Sequence, residues 1–190
     1  MAPKAGSARE AYNRASVATR RILELWNAET GRSDRSLAAA ATSASDAPGR
    51  IRAVIGEREG AARLYLIGRF DQFFAESEEI VPAAAERLAA ADYTGFGELV
   101  DRSQSLAERL LENQVPQTIH LARSARTLGA LAASAFGGGF GGSVWALVRQ
   151  ADATTFIERW SSAYRNAYPE LAARALFFAT APGAAAREIS

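Results

Sequence analysis

The sequence contains no cysteine and a single histidine, His120. No disulfide, thiol nucleophile or thiolate metal site can form, and a histidine-rich metal cluster is excluded with them. An excess of charge of one sign is lacking too, since 22 Lys and Arg against 21 Asp and Glu leave a formal charge of +1. No overall field favours nucleic acid or an anionic membrane, so any partner must be recognised locally. No apolar run approaches the length of a membrane span, and Met1 to Ser7 has no apolar core of signal-peptide length. These absences point to a soluble, cytoplasmic protein, for which a cysteine-free chain suits a reducing compartment. Its 190 residues suffice for one domain with a sizeable core, or a domain with a helical appendage.

Glycine, by contrast, is concentrated in one place. Gly137, Gly138, Gly139, Gly141 and Gly142 hold five of the 15 glycines, around Phe140 and before Ser143. Glycine is worth its backbone entropy only where φ is positive or another group must approach the main chain, so the cluster marks a candidate binding loop. The flanking runs Leu131 to Phe136 and Ser143 to Val148 read as strands. Gly137, Gly139 and Gly142 satisfy G-x-G-x-x-G, but a dinucleotide site needs a helix after the loop, and here a strand follows. A Walker loop fails because no Lys-Ser or Lys-Thr follows the glycines. Two readings remain open: a loop whose N–H groups line an anion site, and a tight turn beneath a neighbouring element.

The rest of the chain reads as mainly helical up to residue 115. Ser7 is placed as N-cap of a helix to about Glu29, with Ala8, Tyr12, Ala15, Thr19, Ile22 and Trp26 on one face. Gly31 to Gly49 is a connector with one short helix near Leu37 to Thr42. Helical pattern returns from Ile51 to Phe74, interrupted near Gly60, and continues to Ile80; Pro82 opens the next helix, and another covers Tyr93 to Glu112. Pro116 starts a helix through Thr127 that turns Leu121, Ala122, Ala125 and Leu128 inward and His120 outward. An amphipathic helix from Asp152 to Asn166 and a third strand, Ala175 to Thr180, complete an α+β layer with helices on one face of an antiparallel sheet. Glu108 and Glu112 read as solvated helix charges.

Gly137 to Ser143, running into Val144 to Val148, resembles the third motif of galactokinases, members of the GHMP family of small-molecule kinases: T-G-[AG]-G-F-G-G-[CS] before an apolar strand. Phe136 departs from it, standing where the family has a small hydroxyl residue. Gly97 to Leu106 is similar to the family's G-x-L-M-x-x-S-H-x-S-L stretch, one residue shorter and with Gln104 in place of His. Arg9 to Arg14 resembles the segment that opens the second half of galactokinases, where a tyrosine contacts the sugar. That likeness makes Tyr12 a sugar-site candidate, whereas its place on the apolar stripe suits a core aromatic. Gly49 to Glu57 and Gly68 to Phe73 echo first-half motifs but lie downstream of Tyr12, in the wrong order.

The resemblance therefore covers a single domain over 1–190 similar to the galactokinase C-terminal half. It implies substrate contacts from Tyr12, Gly137, Gly138, Gly139, Phe140, Gly141, Gly142 and Ser143, with no catalytic or metal-binding residue in this chain. For the complete enzyme it implies ATP and Mg²⁺ as cofactors and phosphorylation of galactose or a related sugar at the anomeric hydroxyl, within galactose metabolism. The expected partners are the sugar, ATP and the missing N-terminal half or a separate chain that supplies it. The competing expectation is a non-catalytic ligand-sensing or interaction module that keeps the fold.

Overall fold

The computed structural model describes residues 5–57 and 60–183. Helix α1, Ala5–Thr30, buries Ala18, Ile22, Leu25 and Trp26 along one face; of the expected stripe Ile22 and Trp26 are buried, Ala15 and Thr19 are half-buried, and the side chains of Ala8 and Tyr12 lie outside the described residues. It starts before Ser7, which lies inside the helix and not at its N-cap. The connector folds back because Trp26 Nε1 donates to Asp34 Oδ2 (2.9 Å) and Asn27 Nδ2 to the Asp34 carbonyl (3.0 Å). The short helix α2, Leu37–Ala41, is capped by Ser36, whose hydroxyl oxygen accepts the Ala39 N–H at 3.1 Å. With α3, Ala47–Gly56, and α4, Ala61–Phe74, these helices enclose a first core of Ile22, Trp26, Leu37, Ile51, Ile55 and Phe70.

Helix α4 passes without a break through a π-helical turn, Ala75–Ile80, into α5, Val81–Ala89, so Pro82, expected to open a new helix, follows directly on the π turn within a continuous helical run. Helix α6, Tyr93–Leu106, runs into a second π turn, Ala107–Leu111, which stops at Glu112 in the left-handed region (φ 53°). Helix α7 is Pro116–Thr127 and α8 is Ala153–Ala167. Between them β1, Ala132–Ala135, pairs antiparallel with β2, Val144–Leu147, in the register Ala132 to Leu147 and Ala135 to Val144. A second core forms where Ala125 of α7, Ala133 of β1, and Phe156 and Trp160 of α8 meet. Leu121, Leu128, Val144 and Ala146 pack against it. The result is an α+β fold, helix-rich, with a small antiparallel sheet.

Helix α6 is fastened to β1 by three devices. Gln104, buried, accepts from the Ser134 hydroxyl (2.9 Å) and the Ala135 N–H (3.0 Å), covering backbone that a two-stranded sheet leaves unpaired. Gly97 meets the Leu131 carbonyl so closely that a Cβ there would collide with it. Arg126 of α7 forks onto the Asp101 carboxylate (2.9 to 3.0 Å) while also donating to the carbonyls of Ala130 and Leu131.

One expected element is absent. Ala175 to Thr180 forms no ladder, and both strands are shorter than read from the sequence. The stretch does alternate: Phe177 packs edge-on to Trp160 (5.2 Å) and against Tyr164 (5.9 Å), while Leu176 and Phe178 are 82% and 72% exposed. Its extended shape thus comes from side-chain docking on α8, and no described strand lies beside it to accept hydrogen bonds. No described helix is long and apolar enough to cross a membrane.

Candidate functional site

Positive φ is what the glycine loop is built from. Gly137, Gly139, Gly141 and Gly142 have φ of 74°, 78°, 105° and 102°, and Phe140 between them has 58°. A side chain is disfavoured at such angles, which is why a continuous glycine run carries the turn. The Phe136 N–H donates to the Ser143 carbonyl (2.8 Å) and closes the loop at its base. Phe136, at the position that departs from the galactokinase pattern, points its ring outward at 67% exposure.

The tip of the loop docks on the strand-like segment that follows the second π turn. Asn113, buried, accepts the Phe140 N–H through its main-chain carbonyl and donates from Nδ2 to the Gly138 carbonyl (3.1 Å). Gln114 Nε2 donates to Asn113 Oδ1 (2.9 Å) and so orients the amide. Gln114 Oε1 in turn accepts from the hydroxyl of Thr118, which is 2% exposed. At Gly139 a Cβ would collide with the Asn113 carbonyl and stand 2.6 Å from its Nδ2. The close approach for which this glycine exists is therefore made by the protein's own backbone. Gly137 and Gly142 face open space. The tight turn against a neighbouring element is realised at Gly139, while Gly137 and Gly138 leave their main chain exposed.

On the open side, Gly137, Gly138 and Phe140 form one wall of a cleft of about 270 Å³, with Ala15, Ser16 and Thr19 of α1, Arg69 of α4, Leu111 and Asn113 completing it. Of the residues expected at the site, these three line the cleft; Gly139, Gly141, Gly142 and Ser143 do not. Tyr12 lies on α1 one turn before Ser16, and its side chain lies outside the described residues. Arg69 and Asn113 were not singled out from the sequence. Arg69 carries a signal in retrospect: a cation on a helix whose neighbours Leu66, Ile67, Phe70, Phe73 and Phe74 all pack on the first core. It is 6% exposed, and burial pulls its guanidinium below the usual arginine range, against a smaller opposing influence from Tyr65.

The remaining polar candidates lie elsewhere. Asp71, in the segment that echoes the family's catalytic aspartate, is held by Arg52 Nε (2.6 Å) on the outer side of α4. Glu108 accepts from Gln104 (3.1 Å) and Arg123, and Glu112 lies 3.7 Å from Arg14 across to α1. His120 is half-buried, not the free surface residue its helix position suggested, with its ring edge-on to Tyr168 at 5.4 Å. Among the described residues no group of three His, Cys, Asp or Glu side chains is placed to hold a metal ion.

Residues 82–166, from α5 to the end of α8 and including the loop with both its strands, match the family model of the GHMP kinases C-terminal domain. Over that stretch the chain is similar to a GHMP kinase C-terminal domain. The Arg9 to Arg14 segment lies outside the matched stretch, whereas Gly97 to Leu106 and Gly137 to Val148 lie within it. Among solved structures, the fold is similar to that of Lactococcus lactis galactokinase complexed with galactose, with a TM-score of 0.68 and 23% identity over 84% of this chain. That overlap covers 38% of the galactokinase, so this chain spans well under half of that protein's length. The sequence matches no curated protein at a significant level.

Proposed function

We propose that this chain is the C-terminal part of a galactokinase-like sugar kinase that transfers the γ-phosphoryl group of ATP to the anomeric hydroxyl of galactose or a related sugar. The observation that carries the reading is the cleft itself. Within the stretch similar to a GHMP kinase C-terminal domain, the glycine loop is held against Asn113 so that Gly137, Gly138 and Phe140 present main chain to a small concave space shared with α1. Phosphoryl transfer is mostly positioning and charge stabilisation, and a rigid loop with accessible backbone serves positioning. ATP would bring the transferred group. Mg²⁺ would be held by the nucleotide and by the N-terminal half of the complete enzyme. Tyr12, one helical turn before the cleft residue Ser16, is the residue we assign to the sugar on the strength of its family resemblance. The enzyme would act in the cytoplasm, in galactose metabolism.

On this reading the isolated chain turns over no sugar, because no base and no Mg·ATP cradle are formed by it alone. The test is ADP release with Mg²⁺, ATP and a panel of aldoses, first from the chain alone and then from the chain produced together with the segment encoded directly upstream of Met1. Silence from the first and galactose-dependent release from the second supports the kinase. Steady turnover by the purified chain alone overturns the assignment of parts. Silence from both, with reversible ligand binding by the chain alone, favours the ligand-sensing module, the reading supported by the bulky Phe136 at the base of the loop.

A further inference from the structure

The outer face of α7 forms a second concavity, which shares no residue with the cleft beside the glycine loop. Pro116, Ile119, His120, Arg123, Ser124 and Thr127 line it at the three- and four-residue spacing of one helical face, and Leu128 and, from α8, Ala163 complete it. The groove follows about 17 Å of α7, at about 1.5 Å per residue. Its volume, about 640 Å³, lies within the roughly 300–1,000 Å³ of small-molecule sites. Most of its polar groups are already engaged or closed. The Ser124 hydroxyl donates to the Leu121 carbonyl (3.2 Å) and the Thr127 hydroxyl to the Arg123 carbonyl (3.0 Å). His120 stands edge-on to Tyr168 (5.4 Å), and its Nε2 is covered without a partner, so that atom is closed to a ligand as well. Arg123 is the exception. Its side chain is 71% exposed and, among the described residues, only its Nη2 is engaged, by Glu108 Oε2. A guanidinium carries five N–H donors, so most of the fork is free for a ligand. Glu108 is itself 11% exposed and accepts from the buried Gln104 (3.1 Å), so the ion pair rests on a covered network that holds the guanidinium in place.

We propose that the groove between α7 and α8 binds a small amphiphilic carboxylate, its head on Arg123 and its apolar tail along Ile119, Leu128 and Ala163. The chemistry of the walls decides the class. One exposed cation on a surface otherwise apolar or self-satisfied offers a single charged contact. That suits a monocarboxylate, whose two oxygens match the guanidinium fork. A polyanion would bring several charges to one cation, and a sugar would leave its hydroxyls without partners. Because Glu108 already holds Arg123, little side-chain freedom is lost on binding. The Glu108 carboxylate also opposes the charge of the ligand, so the head group contributes orientation and modest affinity while the tail contributes the larger part. The site does not rest on the kinase reading, and an enzyme subunit or a sensor module would carry it equally.

The experiment titrates the full chain, ¹⁵N-labelled, with acetate, hexanoate, octanoate and uncharged octanol at matched ionic strength. Saturable amide shifts centred on Ile119, Leu128 and Ala163 are expected, with affinity rising about two- to fourfold per added methylene from hexanoate to octanoate and none measurable for acetate. The wild type should prefer octanoate to octanol by roughly three- to fivefold, the range of an exposed ion pair. Arg123→Met should stay folded, since Glu108 keeps Gln104 as a donor, and should lose that preference. Ala163→Phe, which fills the groove, should abolish binding of both; the exposed Arg123 carries the test should this variant fail to fold. Arg35→Met, at an exposed cation in the connector before α2, should change neither. The proposal is overturned if the wild type shows no saturable shift, if the shifts centre on Leu176 and Phe178, or if Arg123→Met keeps the preference for octanoate. It is overturned equally if the wild type sediments as a dimer that Ala163→Phe dissociates, which gives the groove to a second copy. Loss of octanoate binding when the chain is produced with the segment encoded directly upstream of Met1 overturns it too, and gives the groove to the rest of a larger enzyme.

Discussion

The main-chain carbonyl of Asn113 accepts the N–H of Phe140 and occupies the space that a Cβ at Gly139 would need. One contact thus ties the end of the second π turn to the tip of the glycine loop, and it separates the glycines that serve folding from those that serve access. Gly139→Ala should lower stability by roughly 2–4 kcal/mol, combining left-handed strain of ~1–3 kcal/mol with displacement of the Asn113 carbonyl. Gly137→Ala, in open space with the same sign of φ, should cost only about 1–2 kcal/mol. Urea midpoints of the two variants at constant m-value check the order. Equal losses would mean that strain alone, and not the approach of Asn113, sets the requirement.

Gln104 is the residue that joins α6 to β1, and its place in the galactokinase-like stretch Gly97 to Leu106 is structural in this fold. Gln104→Leu leaves the Ala135 N–H and the Ser134 hydroxyl without their acceptor in a half-buried place, at a cost of about 1–3 kcal/mol for each group that finds no water. Amide exchange at Ala135 should accelerate more than at Ala133, which lies in the second core. Uniform acceleration over the sheet would show that Gln104 acts only through global stability.

Asp92 caps α6, accepting the Gly95 N–H (2.9 Å) and an Arg87 Nη1 donor (2.8 Å), and these bonds hold its carboxyl below the ordinary carboxylate range. The folded pKa is depressed, so the stabilisation is fully present above the unfolded value of about 3.9 and is lost as pH falls through the folded value. Asp92→Ala should therefore lower Tm at neutral pH, with the difference from wild type shrinking below about pH 4. A Tm difference that does not change on acidification would show that the side chain contributes packing and not charge.

Leu176 and Phe178 lie exposed on the segment whose intervening Phe177 docks on Trp160 and Tyr164. If the rest of a larger enzyme covers this edge, the isolated chain should bind a hydrophobic dye and self-associate. Replacing both residues by Ser should reduce dye binding and association while leaving stability within about 0.5 kcal/mol, because neither side chain is packed. Phe177→Ala should instead destabilise, by roughly 2–4 kcal/mol at this partly buried position. A dye-silent, monomeric wild-type chain would argue that this surface is suited to solvent as it stands.

Periodicity and punctuation were enough to place most helices, because an amphipathic stripe or a proline at a first turn is a local property. Pro116 and the stripe Phe156, Trp160 and Tyr164 are where the sequence put them, whereas Pro82 lies within a helix that continues through a π turn. The glycine cluster with its flanking apolar runs was equally legible as a hairpin loop, since only glycine takes successive positive φ at little cost. The third strand was misread because alternation reports which side chains are covered, and Phe177 is covered by α8 without any neighbouring strand. A ladder needs a partner edge, and whether one is present is a non-local fact. The same limit applied to the site. Arg69 looked like one more helical cation, and Asn113 like a residue between two helices. The tertiary structure alone brought them into the lining of one cleft with Gly137 and Gly138, because burial without a counter-charge and contact between distant segments arise only when the cores close around them.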